Sequence, residues 1–375
     1  MNRYPASGHF EHDPIKPGSR DSLVRRIKTG LFFTLIICLS SCERSIEQYD
    51  YSILAFGTLI DISLYDIDRV QADKAFERLQ KDFDQYQQNW SSWTDGDLAR
   101  LNIQLKRQAA TGNTITIPDH LVPLIKESMR LSRESGGLYN PAIGELINLW
   151  QFHKYREKDI HPPADSQIQA LVKKNPQITD LSFAEDNLIH NHNPAVSLNF
   201  GAFAKGYAIA LEIAQLQRLN IHDAVINAGG DLSVTGRHGD RRWNVGIRHP
   251  REDSILASIK VNPGESIFTS GDYERFYMYK NRRFHHILDP RTGYPTDDAQ
   301  SVTVLHQDAG RADAAATALF VAGSKNWQQT AKNMGIHYVM LIDARGDIHL
   351  TPAMKKRIKF LNKSPASHII VSEEL

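Results

Sequence analysis

The chain has 375 residues, with 44 Lys and Arg against 43 Asp and Glu, a formal net charge of +1. This balance gives no bulk basicity for nucleic acid and no acidic solvating tail. The 41% hydrophobic and 23% charged residues are ordinary for a folded globular protein. The two cysteines, Cys38 and Cys42, lie near the N-terminus, so the rest of the chain carries neither a disulfide framework nor a thiolate metal site.

Residues 24–42, VRRIKTGLFFTLIICLSSC, set Arg25, Arg26 and Lys28 before an uncharged apolar run that opens at Leu31, then Ser40 and Ser41 before Cys42. That is the layout of a bacterial secretory signal. The run is shorter than the roughly 20 residues a membrane-spanning helix needs. Leu39-Ser40-Ser41-Cys42 resembles a lipobox, which predicts cleavage before Cys42 and lipidation of that residue. The expected organisation is a signal over 1–41, a tether over 42–52, one folded domain over 53–352 and a tail over 353–375. The long polar lead over 1–23 suggests a translation start near Leu23 or Val24. The mature protein is expected outside the cytoplasm, lipid-anchored and facing the periplasm. The inner membrane is favoured over the outer, although Glu43 is not the Asp often linked to inner-membrane retention.

After the tether, TLIDISLY (58–65) alternates as a strand with Ile60, Ile62 and Leu64 on one face. Ala72, Phe76, Leu79, Phe83 and Tyr86 recur at helical spacing. Residues 89–102 read as a polar, turn-rich segment, and TITIP (114–118) as a short strand. Leu121, Ile125, Ser128 and Ser132 mark a helix ended by Ser135-Gly136-Gly137. A short helix carries Leu171 and Val172 and stops near Pro176. Residues 195–200 read as a strand feeding a helix that runs to about Leu219. Strands then dominate: 224–227, 243–247, 255–261, 284–288 and 301–305. Helices follow over about 312–321 and 324–334, the second capped by Gly335, and a hairpin closes around Ala344-Arg345-Gly346. Beyond Thr351, Lys355-Lys356-Arg357 reads as a solvated basic run. Strand runs mixed with separate helices predict an α+β fold of mixed or antiparallel sheets with packed helices.

Four segments carry chemistry. In LNFGAFAKGYAIA (198–210), a strand-to-helix turn at Gly201 exposes helical N–H groups beside Lys205, an arrangement that suits an anion. Alone, it fits a buried helix start better. INAGGDLSVTG (226–236) holds paired glycines that permit either a hairpin turn or close backbone approach to a ligand, ending in Asp231. In RRFHHILDPRTGYP (282–295), His285 and His286 face opposite sides of a strand. His286 and Asp289 then sit at a tight turn, either a well-formed β-turn with a buried imidazole or a corner suited to proton transfer. In GRADAAATALFVAG (310–323), Asp313 and Thr317 share a helix face as hard oxygen donors, suited to Mg²⁺ or Ca²⁺ rather than zinc. Taken alone, that pair fits an N-terminal helix charge and a back-bonding threonine better.

In order and wording, the motifs FGT (56–58), DLARLN (97–102), GGLYNPAIGELINLW (136–150), NFGAFAKGYAIA (199–210), INAGGDL (226–232), TSGDYERFY (269–277), HHILDPRTGYP (285–295) and DAAATALFVAG (313–323) together resemble the ApbE family, the FAD:protein FMN transferases. The resemblance covers about residues 53 to 350. It implies an ApbE-like fold and an enzyme that cleaves the pyrophosphate of FAD, transfers FMN to a threonine hydroxyl of an acceptor protein and releases AMP. It implies acceptors among subunits of membrane redox complexes, such as the sodium-pumping NADH:quinone reductase or the Rnf type. Carried over residue by residue, the metal site, for Mg²⁺ or alternatively Ca²⁺, falls on the Ala202 carbonyl, Asp313 and Thr317. Flavin contacts fall on Phe56, Trp93, Leu138, Tyr139, Asn140, Asn199, Lys205 and Leu288. His286 is implied as catalytic base, with Asp289 orienting the corner. Asn199 stands where the family usually has Asp, and Asn140 where Asp is common, which keeps hydrogen bonding but loses charge. Ala316 stands where some members supply a further metal-binding Asp. Two alternatives use the same site: a metal-dependent FAD pyrophosphatase and a non-catalytic periplasmic FAD carrier.

Overall fold

The computed structural model describes residues 47–108, 112–154, 160–361 and 368–375. The expected signal, translation start and lipidated Cys42 lie outside them. The described chain opens with β1 (Gln48–Ala55) and β2 (Thr58–Tyr65), paired antiparallel from Gln48↔Tyr65 to Ala55↔Thr58. The part of the expected tether over 48–52 is therefore strand, and Tyr49 and Tyr51 pack against the core.

Next comes α1 (Arg69–Trp90), whose N-cap Asp68 accepts from the Gln71 N–H. The helix α2 (Asp97–Gln108) forms within and beyond the stretch read as turn-rich, because Leu98, Leu101 and Leu105 make a buried stripe. There follow β3 (Ile115–Thr116), α3 (Val122–Glu134), α4 (Gly144–Trp150), α5 (Asp165–Val172), β4 (Leu181–Glu185) and β5 (Leu188–Asn191). The strand expected over 195–200 does not form. The segment instead runs beside 141–144, with a single parallel bridge of Ser197 to Ile143 and the Asn199 N–H donating to the Pro141 carbonyl at 2.8 Å.

The helix α6 (Ala204–Arg218) leads to β6 (Asp223–Ala228), β7 (Asp231–Thr235), β8 (Trp243–Arg248), β9 (Ile255–Val261), β10 (Ser266–Gly271), β11 (Phe276–Tyr279), β12 (Arg282–His285) and β13 (Ala299–His306). The strand expected over 284–288 stops at His285. Then α7 (Ala309–Asn333) is broken at Gly323, where φ is 70°, and the Asp298 carboxylate caps the second half by accepting from the Ser324 N–H at 2.7 Å. The two helices expected over 312–321 and 324–334 are these halves. The chain closes with β14 (Tyr338–Asp343), β15 (Ile348–Leu350), α8 (Pro352–Arg357), β16 (Ile358–Phe360) and β17 (Ile369–Val371). The expected tail is thus partly structured: β16 pairs with β9, and β17 pairs parallel with β15.

Nine strands form one sheet in the order β1-β2-β6-β7-β10-β13-β14-β15-β17, and every pairing but the last is antiparallel. Side chains alternate across it. Along β14, Val339 and Leu341 enter the core shared with α1, α6 and α7. Met340 and Ile342 enter a second core, covered by the β16-β9-β8 sheet and α8. The β11–β12 hairpin packs separately, its Tyr277 and Phe284 against Leu146, Trp150 and Phe152. This is the α+β arrangement the sequence predicts. Among the described residues, no helix is long and apolar enough to cross a membrane.

Candidate active site

The site is built where the N-terminus of α6 meets the first half of α7. The contact is unusually close: a Cβ placed on Gly206 would lie 2.4 Å from the Ala309 carbonyl oxygen and 2.7 Å from Asp313 Cβ. Only glycine allows this approach, and its consequence is polar. The Gly206 N–H donates to Asp313 Oδ2 at 2.9 Å instead of closing an α-helical bond onto Ala202. Among the described residues, no backbone N–H bonds the Ala202 carbonyl.

Asp313 is buried, and its Oδ1 receives no hydrogen bond among the described residues. Burial pushes its carboxyl up to about 7; Lys205 opposes this, Asp231 adds to it, and the Gly206 N–H opposes it. One turn on, Thr317 Oγ1 lies 3.0 Å from Ser270 Oγ on β10. A buried carboxylate short of positive charge, a hydroxyl one turn away and an unclaimed carbonyl make a hard-oxygen donor set that fits a divalent cation. Ala316 adds no donor. Among the described residues, no three His, Cys, Asp or Glu side chains group to hold a metal, so water and substrate oxygens would complete the shell.

Lys205 stands in the first turn of α6 and pairs with Asp231 Oδ2, while Asp231 Oδ1 accepts the Thr269 N–H at 2.7 Å. Burial pushes the Lys205 ammonium down, but the Asp231 and Asp313 charges outweigh it and the net direction is up, so the ammonium stays charged.

His286 ends the β12 edge with its N–H on the Arg275 carbonyl at 3.1 Å. Its ring Nδ1 is sealed from solvent with no hydrogen-bond partner. Burial, then the Arg275, His285 and Lys205 charges, hold this imidazole well below its ordinary value, so it is neutral at pH 7. His285, on the other face of the strand, uses Nε2 on the Thr296 carbonyl at 2.6 Å. Asp289 is bound by the Arg291 backbone N–H at 2.8 Å and by its guanidinium at 2.7 Å. No hydrogen bond joins it to His286; its carboxylate shapes the 289–293 turn.

Several of the residues expected to contact flavin have polar partners of their own. Asn199 Oδ1 accepts the Gly201 N–H at 2.9 Å, and Nδ2 donates to Ser92 at 2.9 Å, tying the Trp93 loop to the α6 turn. Trp93 is exposed, donates to Asn148 Oδ1 at 2.8 Å and lies 5.4 Å from the His153 ring. Asn140 spends its amide on the Pro176 carbonyl and its oxygen on the Ala142 N–H. The Tyr139 side chain is core, 3.1 Å from Ser128 Oγ. Leu138 is half-buried beside it, and Leu288 is buried and bridges Pro295. Phe56, at φ 52°, tops the β1–β2 turn, its N–H held by Gln87 at 2.6 Å. Sequence reasoning missed three contributors: Asp231 as the partner of Lys205, Ser270 as the partner of Thr317, and the Gly206 N–H. The quoted motifs contained all three, but only packing reveals whom they meet. A shallow recess of about 420 Å³ between Glu77 and Asn89 shares no residue with this centre.

A profile of the ApbE family matches residues 56–340. A Rhodobacter capsulatus protein named FAD:protein FMN transferase is 38% identical over 307 residues, 81% of this chain. The matched region spans only 57% of that relative's length. A protein of the same name from Klebsiella pneumoniae is 31% identical over 281 residues, 73% of this chain and 83% of the relative. The crystal structure of the ApbE protein of Thermotoga maritima superposes with a TM-score of 0.74 at 26% identity, covering 83% of this chain and 99% of that one. The Vibrio cholerae flavin transferase ApbE shares the fold, with a TM-score of 0.71 at 23% identity, covering 83% of this chain and 99% of that one. With a fold of this kind and a profile match over most of its length, the chain belongs to the ApbE family.

Proposed function

We propose that this protein is an FAD:protein FMN transferase, moving the FMN half of FAD onto a threonine hydroxyl of an acceptor protein with release of AMP. The observation that carries the reading is the pairing of the buried Asp313 with the charged Lys205 where α6 meets α7, with the neutral His286 within electrostatic reach of Lys205. Relatives bearing that activity in their names are 38% and 31% identical to this chain.

Asp313, Thr317 and the Ala202 carbonyl would hold Mg²⁺, with Ca²⁺ as the alternative; the cation supplies charge neutralisation at the diphosphate. The Lys205 ammonium binds the diphosphate and offsets charge that develops in phosphoryl transfer. His286, neutral at pH 7, takes the proton of the threonine hydroxyl. The threonine oxygen then bonds to the phosphorus that carries FMN, the bond from that phosphorus to the bridging oxygen breaks, and AMP leaves. Asp289 holds the turn that follows His286. The acceptors in this reading are subunits of membrane redox complexes of the sodium-pumping NADH:quinone reductase or Rnf type. The enzyme meets them from the periplasmic side of the inner membrane, anchored through lipid on Cys42.

Incubating purified protein with FAD, Mg²⁺ and a threonine-bearing acceptor subunit tests this. Fluorescence that stays on the denatured acceptor supports transfer. Free FMN with an unlabelled acceptor indicates a pyrophosphatase instead, and intact FAD indicates a carrier.

A further inference from the structure

We propose that Asp231, to which nothing above assigns a role in the reaction, is a positioning residue that aims the Lys205 ammonium at the diphosphate and weakens ground-state binding of FAD. The proposal rests on the reading of this centre as an FAD site. Asp231 is itself rigidly placed. It follows the Gly229-Gly230 turn, where φ is 68° and 105°, and opens β7. Its Oδ1 is fixed by the Thr269 N–H of neighbouring β10 at 2.7 Å, and the residue is buried. Its Oδ2 takes the Lys205 ammonium. Lys205 is in turn fixed at its backbone end, because the next residue gives its N–H to Asp313. The four-carbon stem of a lysine is otherwise flexible, and an ammonium is a point charge with three donors. With one donor committed to Asp231, two remain for phosphate oxygens, and their origin is set by the strand rather than by the stem.

The same carboxylate has an opposite effect on affinity. Asp231 and Asp313 both face one ammonium, and Asp231 adds negative charge where an anionic diphosphate must sit. Removing that charge strengthens FAD binding while releasing the ammonium from its aim. Turnover and affinity then move in opposite senses, the pattern left when ground-state strain is removed. A purely structural fastening of β7 to β10 predicts no such split.

The test is Asp231→Asn in the full chain, since the amide oxygen still accepts the Thr269 N–H. FAD binding in Mg²⁺ is read by flavin fluorescence, and turnover as AMP formed from FAD with the threonine-bearing acceptor. The expected result is a dissociation constant lower by about 3- to 10-fold and a kcat lower by roughly 10- to 100-fold, the scale of an approximately 1 Å misplacement. In a Lys205→Met background, adding Asp231→Asn is expected to leave kcat unchanged, because the carboxylate acts through the lysine. If the Asn variant does not fold, Asp231→Glu replaces it; that variant keeps the charge and moves it by one methylene, so affinity stays at the wild-type value while kcat falls. An Asn variant with unchanged kcat, or one whose losses multiply with those of Lys205→Met, overturns the assignment. Wild-type protein that binds no FAD overturns the reading of the site instead, so the two failures are told apart.

Discussion

Replacing Gly206 with alanine probes the contact on which the centre is built. The new Cβ would meet the Ala309 carbonyl at 2.4 Å, and that neighbour is backbone, which cannot swing aside. Restoring ordinary van der Waals separation requires α6 and α7 to part by about 1 Å. That movement stretches the Gly206 N–H···Asp313 bond, now 2.9 Å, past hydrogen-bonding range. Overpacking costs about 1–3 kcal/mol, and the lost bond to a carboxylate about 1.5–3 kcal/mol. Alanine's better helix propensity returns only about 1 kcal/mol. The clash therefore wins, with a net destabilisation of roughly 1.5–5 kcal/mol. Asp313 shifts with α7, so turnover should fall about 100-fold even where the variant is folded, and more Mg²⁺ should be needed to reach half-maximal rate. Thermal melting by circular dichroism and a Mg²⁺ titration of activity check both parts. An alanine variant at least as stable as the parent, with full turnover at the same Mg²⁺ concentration, would refute the argument.

Three further outcomes are expected. Asp313→Ala removes the buried carboxylate of the proposed cation site, so it should abolish Mg²⁺-dependent turnover while leaving the fold intact by circular dichroism; unchanged turnover in magnesium would count against Asp313 as a ligand. His286→Ala should bind FAD normally and lose transfer by about 10²- to 10⁴-fold. Because burial and Arg275 hold this imidazole well below its ordinary value, wild-type activity should not fall through loss of the base between pH 8 and pH 6.5; a normal rate in the alanine variant removes His286 from the mechanism. Away from the site, burial pushes Glu212 from 4.5 up to about 7, where it accepts the Tyr86 hydroxyl at 2.8 Å. The folded state holds that proton more tightly than the unfolded chain does. Its stabilising effect is therefore complete below pH 4.5 and is lost as pH rises through 7, by up to about 3 kcal/mol. Glu212→Gln should flatten the decline in melting temperature from pH 5 to pH 8, and an equally steep decline in that variant would show that another group causes it.

Much of this organisation is legible in the sequence because it is local. Ile60, Ile62 and Leu64 alternate, and all three are buried on one face. Asp313 and Thr317 are a turn apart on a helix, as their spacing requires. The break at Gly323 falls between the two predicted helices. The failures are non-local. Residues 195–200 look like a strand, but their backbone groups are taken by the 141–144 segment rather than by a sheet. The strand β1 looks like a tether because its inward residues become buried only once β2 and α1 are in place. Asp231 reads as a hairpin residue, and in part it is one. Its ion pair joins positions 26 residues apart, and no spacing rule reports that. Tyr139 and Asn140 lie in the quoted family motif, yet the Tyr139 ring serves the core and the Asn140 amide a neighbouring loop, partners that no spacing rule reports.

If the centre joins FMN to a protein hydroxyl, the acceptor must carry the product. The most direct measurement is peptide mass spectrometry of the acceptor subunit after incubation with this protein, FAD and Mg²⁺, with a matched acceptor whose target threonine is replaced by alanine. The expected result is FMN in phosphoester linkage on that threonine, AMP formed in equal amount, and no adduct on the alanine acceptor. An unmodified threonine while FMN and AMP accumulate free in solution would contradict it.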